Sequence, residues 1–335
     1  MKALWLVERG TWQVRETPEP RPGGGEVRIA VRAAGLNFAE LMASQGLYPD
    51  APKLPAILGY EVAGLVDAVG DGVDAARIGE RVVGMTHFGG HAQYACVPAD
   101  FAFPIPPQMQ YEEAAALPVT YLTAYHMLFF AANLHAGESV LVQMAAGGVG
   151  TAALQLCRTV PNVTTFGTAS ASKHQVLRDN GCTYPIDYHA ADYAAEVRRL
   201  TEKRGVDVAL DPLGGRDTLK SYRLLRAGGR IVVYGFANLQ RPRRALLHLI
   251  GQLARVPRFS PLRLMSANRG VIGVNIGHLW ERADLLLAEM RALLALWVDG
   301  KIAPVIDCTL PLDRGAEGYA RMASGNNVGK IVLTP

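Results

Sequence analysis

A turn of small residues, Ala145-Ala146-Gly147-Gly148-Val149-Gly150, is the feature of this chain with the clearest chemical use. It follows the apolar run Ser139–Val142 and leads into a helix-like segment, Thr151 to Arg158. The spacing fits a dinucleotide fingerprint with Ala145, Gly147 and Gly150 in the three glycine places. Small residues let the backbone approach a pyrophosphate, and a helix N-terminus offers free N–H groups. The turn therefore predicts a bound nicotinamide dinucleotide and reductase chemistry, although close strand–helix packing alone also selects small residues.

The type of dinucleotide depends on the region about 20 residues past the turn. That region reads Gly167-Thr168-Ala169-Ser170-Ala171-Ser172-Lys173 and contains no carboxylate. An NAD site usually places an acidic residue there, on the ribose 2′-hydroxyl. Serine hydroxyls and the Lys173 ammonium instead suit a 2′-phosphate. The sequence favours NADPH over NADH; the alternative for Lys173 is an ordinary solvated lysine at the start of a helix.

Composition narrows the class of protein before any fold is considered. The chain has 335 residues, of which 50% are hydrophobic, and its net charge of +4 does not argue for nucleic acid as a partner. The cysteines form no Cys-x-x-Cys pair and suit scattered thiols in a reducing compartment. The apolar stretch at the N-terminus is too short for a signal peptide, and no run of 18 apolar residues appears. We expect a cytoplasmic enzyme with a small-molecule substrate.

The pattern of strand-like and helix-like segments changes near residue 120. Before it, short β-like runs such as Val27–Val31 alternate with glycine turns; after it, strands alternate with helices. Such alternation predicts a parallel sheet covered on both faces, with its ligand at the carboxyl ends of the strands. We therefore predict an α/β protein with a mostly β domain (1–120 and 276–335) and a doubly wound domain (121–275). The leucine-rich segment Trp280–Trp297 is predicted to be a packing helix.

Motifs spread over almost the whole chain resemble those of one superfamily. They are Ala34–Glu40, Gly46–Pro49, Gly59–Gly64, Gly79–Val82, Glu113–Leu117, the glycine turn, Gly167–Ser170, Asp211–Gly215 and Val328–Leu333. The chain resembles the medium-chain dehydrogenase/reductase superfamily on its zinc-independent, quinone oxidoreductase side. Within it, the chain is similar to the vesicle amine transport protein homologues. The resemblance implies a GroES-like catalytic domain, a Rossmann domain that binds NADPH, and hydride transfer to quinones or related conjugated carbonyls.

The resemblance also implies residues for the chemistry. Asn37 and Tyr60 stand where zinc-dependent members carry a cysteine and a histidine ligand, so we expect no catalytic zinc. Asn37 and Tyr48 would donate hydrogen bonds to the carbonyl oxygen of the acceptor, near the nicotinamide between the domains. Tyr60 would either donate a proton to the product or fill the space left by the metal.

The expected cofactor residues extend beyond the glycine turn. Tyr188 matches the family position that commonly contacts the 2′-phosphate, and Thr123 is placed near the nicotinamide. The predicted cofactor-binding set is Thr123, Ala146, Gly147, Gly148, Val149, Gly150, Thr168, Ser170, Lys173, Tyr188, Phe236 and Asn326.

Two histidines form a second candidate pair of metal ligands. His87 and His91 are four residues apart, but Gly89 and Gly90 between them indicate a loop rather than one face of a helix. We therefore interpret both as surface histidines and predict no metal role for them.

A basic, apolar insert at 241–265 holds six arginines and no Asp or Glu. A basic amphipathic segment can lie on an anionic membrane or bind a partner. The favoured alternatives are a lid over a hydrophobic substrate site and a subunit contact. The family often forms dimers through sheet edges, and Val271–Asn275 is a plausible edge strand for a homodimer. Two other functions stay open: a membrane- or lipid-interacting protein with little catalysis, and a 2-enoyl thioester reductase.

Overall fold

The computed structural model describes residues 1–239 and 256–335. The strands of these residues are β1 Lys2–Glu8, β2 Thr11–Glu16, β3 Glu26–Gly35, β4 Ala56–Ile57, β5 Glu61–Val69, β6 Arg81–Met85, β7 Tyr94–Pro98, β8 Ala102–Pro104, β9 Ser139–Val142, β10 Thr164–Ala169, β11 Tyr184–Asp187, β12 Val206–Asp211, β13 Leu225–Val233, β14 Gly270–Gly273, β15 Ile306–Pro311 and β16 Lys330–Thr334. The α-helices are α1 Phe38–Ser44, α2 Tyr111–Ala115, α3 Pro118–Tyr125, α4 Gly148–Cys157, α5 His174–Asp179, α6 Tyr193–Leu200, α7 Arg216–Tyr222, α8 Pro261–Ala267, α9 Ala283–Val298 and α10 Gly315–Ala323. A π-helical turn, His126–Ala131, follows α3.

The first compact unit, Met1–Leu122 with Leu279–Pro335, is mostly β-structure. Its larger sheet has the strand order β15-β16-β3-β5-β6-β8, with β7 also paired to β3. Strand β3 shows why this region folds as a sheet. Val27, Ile29 and Val31 alternate with more exposed residues, so one face of the strand enters the core, as the sequence predicts. A second sheet, in the order β2-β1-β4, completes the strands of this unit.

The second unit, Thr123–His278, is built on a parallel sheet. Its described strands run in the order β11-β10-β9-β12-β13-β14, and every neighbouring pair is parallel. All six residues of β12 are buried, as expected for a strand covered on both faces. This is the predicted doubly wound sheet, and the glycine turn lies at the carboxyl end of its central strand β9.

The helix α9 confirms the predicted packing helix, with its start at Ala283 rather than at Trp280. The residues Trp280–Arg282 form a 3₁₀ turn that leads into it. Leu286, Met290 and Leu293 are buried, so one face of α9 packs against the rest of its unit.

Most of the basic insert, residues 240–255, lies outside the described residues. Its described end is α8, which begins after the N-cap Ser260 and exposes Leu262 and Met265 by 73% and 70%. Strand β14 lies at the edge of the parallel sheet, where the sequence places an edge strand. The membrane contact and the homodimer stay predictions.

The assignment of His91 to the surface is wrong. Its side chain is fully buried, because the loop that carries it is pinned on both sides by backbone hydrogen bonds. The His91 N–H donates to the carbonyl of Leu58 at 2.9 Å, and the His91 carbonyl accepts from the N–H of Leu4 at 2.8 Å. His87 is exposed, as predicted, and its ring packs against Trp280 at 4.2 Å.

Candidate functional site

The glycine turn is a tight reversal between β9 and α4. Met144 has a φ of +51°, a left-handed conformation that few non-glycine residues adopt. The N–H of Ala145 donates to the carbonyl of Thr168 at 3.0 Å, and the N–H of Gly147 donates to the carbonyl of Met144 at 3.0 Å. Gly147 then caps α4, whose first N–H groups have no partner within the helix. This is the geometry that the helix N-terminus of a dinucleotide site requires.

Two glycines of the turn differ in how much room surrounds them. A Cβ atom on Gly150 would lie 2.5 Å from the carbonyl oxygen of Met144 and 2.6 Å from Cα of Ala145. Gly150 therefore allows the helix to pack closely on the strand. A Cβ atom on Gly147 would meet only the Met144 oxygen, at 3.4 Å. The protein itself does not need glycine there, whereas a pyrophosphate approaching the backbone would.

A buried chain of neutral hydrogen bonds lies behind the turn. Thr168 Oγ1 donates to Gln143 Oε1 at 2.7 Å and accepts from the N–H of Met144 at 3.2 Å. Gln143 Nε2 donates to Ser221 Oγ at 3.2 Å, and Ser221 Oγ lies 3.2 Å from the hydroxyl of Tyr193. The chain thus joins the ends of β9 and β10 to α6 and α7, and it fixes the backbone of the turn from the protein side.

The residues predicted for the 2′-phosphate come from two adjacent strand ends. Ala169 of β10 pairs with Asp187 of β11 in parallel register, so Ser170 and Tyr188 leave the sheet side by side. Ser170 Oγ lies 3.4 Å from Ser172 Oγ, and Tyr188 is 52% exposed. Lys173 ends a 3₁₀ turn, Ala171–Lys173, that begins directly after Ser170.

The loop after β12 is anchored by Asp211, which is completely buried. Its carboxylate accepts from the N–H of Leu213 at 2.9 Å and from Thr218 Oγ1 at 2.5 Å. Burial raises the pKa of this carboxyl, and the hydrogen bonds oppose that shift. Phe236 is 45% exposed, and its ring lies where a Cβ on Gly214 would stand. Phe236 is thus held against this loop at the carboxyl edge of the sheet.

Asn37, predicted to be catalytic, lies in a buried polar cluster of the first unit. Its Nδ2 donates to Glu61 Oε1 at 2.9 Å, and its Oδ1 accepts from Lys330 Nζ at 2.5 Å. Lys330 also forms an ion pair with Glu61, whose other oxygen accepts from the N–H of Val119 at 2.7 Å. The Asn37 amide is therefore already bonded on both sides, and its side chain is 5% exposed.

Glu40 brings a second carboxylate into this cluster. Its Oε2 accepts from the N–H of Asn37 at 2.7 Å and from the Tyr319 hydroxyl at 2.8 Å, and it lies 3.7 Å from His91 Nε2. Burial raises the pKa of Glu40 to about 7, against the hydrogen bond from Asn37 and the charge of Lys330. Burial also lowers the pKa of His91 to about 4. The imidazole is consequently neutral at pH 7.

Tyr48 and Tyr60 form the remaining predicted catalytic pair. The Tyr60 ring packs against Phe88 at 5.2 Å, and Tyr48 packs beside the same phenylalanine against a core of Leu6, Ala43 and Leu58. Burial of the Tyr60 hydroxyl raises its pKa far above the ordinary value, with Tyr48 and Glu40 contributing further. Tyr60 is therefore protonated at any physiological pH and can donate a hydrogen bond.

The two remaining predicted residues lie apart from these groups along the chain. Thr123 is buried in α3 at the start of the second unit, and Asn326 is exposed in the segment between α10 and β16.

Sequence reasoning missed several members of both networks. Glu40 stands three residues after the N-cap Asn37, which is the spacing of a capping box and could have identified it. Gln143, Ser221 and Tyr193 gave no such signal, because they meet only through the packing of α6 and α7 on the sheet. Within residues 1–239 and 256–335, no three His, Cys, Asp or Glu side chains cluster as metal ligands. No helix in that part of the chain is long and apolar enough to cross a membrane.

Comparison with known proteins agrees with this architecture. Residues 23–107 match the family model of the alcohol dehydrogenase GroES-like domain, and residues 180–333 match that of the zinc-binding dehydrogenase. The chain is 48% identical over 324 residues to the human synaptic vesicle membrane protein VAT-1 homolog, an alignment that covers 96% of this chain and 82% of that protein.

Two solved structures are similar over nearly the full length. The Escherichia coli quinone oxidoreductase complexed with NADPH has a TM-score of 0.87 and 25% identity, and the match covers all of both chains. CurK enoyl reductase has a TM-score of 0.84 and 27% identity, with 99% of this chain and 98% of that chain covered. The predicted GroES-like and Rossmann-like domains are confirmed. The chain therefore belongs to the medium-chain dehydrogenase/reductase family of oxidoreductases.

Proposed function

We propose that this protein is an NADPH-dependent oxidoreductase that reduces quinones or related conjugated carbonyls without zinc. The observation that carries the proposal is the pair of strand ends at Ala169 and Asp187, which leave the sheet side by side. They present Ser170 and Tyr188 together, with Lys173 three residues beyond Ser170. No carboxylate stands at the end of β10, where an acidic residue would bind a ribose 2′-hydroxyl and repel a phosphate.

The residues present fit a dinucleotide at this edge of the sheet. Gly147 leaves open space above the turn, and the N–H groups of Gly148, Val149 and Gly150 begin α4. These N–H groups would hold the pyrophosphate, and Lys173 with the neighbouring hydroxyls would hold the 2′-phosphate. Phe236, packed on Gly214, would line the path of the cofactor along the carboxyl edge.

NADPH, when bound, supplies the hydride. The task of the chain is then to stabilise negative charge on the oxygen of the acceptor. We assign that task to the hydroxyls of Tyr48 and Tyr60, because the raised pKa of Tyr60 keeps its proton in place as a hydrogen-bond donor. We assign Asn37 a positioning role, since its amide already bonds Glu61 and Lys330.

The substrate class is supported by what similar proteins are called. One structure that covers both chains completely is named a quinone oxidoreductase, and its complex holds NADPH. A 2-enoyl thioester is the second candidate substrate, because CurK enoyl reductase shares this architecture at a TM-score of 0.84. Both reactions need the same hydride delivery to an electron-poor carbon, so kinetics must separate them.

The test measures oxidation of NADPH and NADH with 1,2-naphthoquinone and with crotonyl-CoA. Lys173→Ala should raise the KM for NADPH by about 10-fold or more, the effect of one lost charged hydrogen bond, and leave the KM for NADH nearly unchanged. Lys53→Ala, which removes an exposed lysine of the first unit, is the matched control. Equal effects of Lys173→Ala on both cofactors would refute the phosphate assignment, and turnover with crotonyl-CoA alone would select the second substrate class.

A further inference from the structure

A concave surface in the second unit is lined by none of the predicted cofactor residues. It has a volume of about 590 Å³ and lies between α6 and α7. We call it the α6–α7 groove, and its lining consists of Asp192, Ala194, Arg198, Arg216, Leu219, Lys220 and Arg223. Its size falls within the range of sites for small molecules.

Helical periodicity explains why the groove is basic. Arg216, Lys220 and Arg223 are separated by four and three residues, so they share one face of α7 and its C-cap. Arg198 follows Ala194 by four residues on α6, and the small side chain of Ala194 leaves the groove open. The lining thus holds four cations and a single carboxylate.

The cations differ in whether they are neutralised. Lys220 Nζ forms an ion pair with Asp192 at 2.8 Å and lies 4.0 Å from the centre of the Tyr193 ring. The guanidinium groups of Arg198, Arg216 and Arg223 are exposed, and none pairs with a residue in the described parts of the chain. Arg199, the neighbour of Arg198, instead makes two hydrogen bonds to Glu196, at 2.9 and 2.5 Å.

Unpaired like charges on one helix face destabilise that helix unless an anion joins them. We propose that the α6–α7 groove binds a small polyanion that carries two or more phosphate groups. A guanidinium fork matches phosphate oxygens in two-point contacts, and three such forks line one groove. The apolar lining is limited to Ala194 and Leu219, so the ligand is polar. Either a soluble phosphorylated metabolite or the phosphorylated headgroup of a lipid has this chemistry.

The experiment uses the full chain and two probes. Inositol hexakisphosphate is titrated calorimetrically in about 0.1 M salt, where surface charges are only partly screened. Vesicles of phosphatidylcholine with and without phosphatidylinositol 4,5-bisphosphate are tested by flotation. The triple variant R198Q/R216Q/R223Q is compared with R199Q/R282Q/R314Q, which removes the same net charge from exposed, paired arginines.

We expect the groove variant to lower affinity for the soluble probe by at least about tenfold, and the control variant to change it less than about twofold. Binding of the vesicles alone, lost in the groove variant, would assign the ligand to lipid headgroups. Equal losses in both triple variants, or no binding of either probe, would overturn the proposal. Oxidation of NADPH is measured separately with Lys173→Ala, so failure of the proposed enzyme activity leaves this result independent.

Discussion

The molecule buries two polar networks that differ in charge. In the first unit, Glu40 and Glu61 share the single ammonium of Lys330. In the second unit, the chain from Thr168 through Gln143 to Ser221 is neutral throughout. Buried ions lose hydration that their partners must replace. A neutral hydrogen bond within the protein instead replaces hydrogen bonds to water of nearly equal free energy. The first network should therefore control stability and its pH dependence, and the second should control the shape of the turn.

Removal of Lys330 tests the ionic network with the largest expected effect. Lys330→Met leaves Glu61 and the Asn37 carbonyl without their buried cation. The free energy of unfolding should fall by about 3–5 kcal/mol, measured by urea denaturation. The control Lys301→Met breaks an exposed pair with Asp299 and should change it by less than about 0.5 kcal/mol. Similar losses in the two variants would show that the buried cluster is not strongly coupled.

The pH dependence of stability tests the same network at Glu40 and His91. Because the pKa of Glu40 rises to about 7 on folding, the native state binds more protons than the unfolded state between about pH 4.5 and 7. The contribution of Glu40 to the free energy of unfolding is present below that pH window and is lost as the pH rises through it. His91 acts in the opposite sense, because its pKa falls to about 4 and the unfolded state binds more protons below about pH 6.5.

The two slopes should largely cancel in the natural protein between pH 4.5 and 6.5. Glu40→Gln removes the Glu40 slope, so the free energy of unfolding should then rise by about 2 kcal/mol between pH 4.5 and 6.5. His91→Gln should produce the reverse slope. Urea midpoints measured from pH 4 to 8 check both variants, and parallel curves for the two variants would contradict the assignment.

The neutral network should respond more weakly and in a different observable. Thr168→Val removes the hydroxyl between Gln143 and the N–H of Met144, which should cost about 1–3 kcal/mol. It should also raise the KM for NADPH, because the turn loses its support. Thr165→Val is the matched control on the same strand, where Oγ1 donates to the carbonyl of Gly181 at 2.9 Å. We expect a similar loss of stability there without the change in KM; a KM change in both variants would remove the positioning role.

The sequence predicted the parallel sheet of the second unit better than the buried polar contacts of the first unit. Alternation of strands and helices is a local pattern, so the sequence predicts the parallel sheet and a helix from Thr151, which the structure begins at Gly148. The burial of His91 could not be predicted in this way, because it depends on Leu4 and Leu58, which are distant along the chain. The hydrogen bond that the Asn37 side chain accepts comes from Lys330, 293 residues away along the chain. Such contacts are set by tertiary packing, which no local pattern records.

Alanine substitutions at Gly150 and Gly147 include the smallest expected effect on stability. They distinguish a glycine required for packing from a glycine required for ligand binding. Gly150→Ala forces a Cβ to 2.5 Å from the Met144 oxygen and should cost about 1–3 kcal/mol. Gly147→Ala meets that oxygen at 3.4 Å with a φ of −78°, so stability should change by less than about 0.5 kcal/mol. NADPH affinity should nevertheless fall in Gly147→Ala, because the added methyl group occupies the approach of the pyrophosphate. Thermal unfolding and calorimetric titration separate the two quantities. Unchanged affinity in a stable Gly147→Ala variant would mean that the turn is small only to let α4 pack on β9.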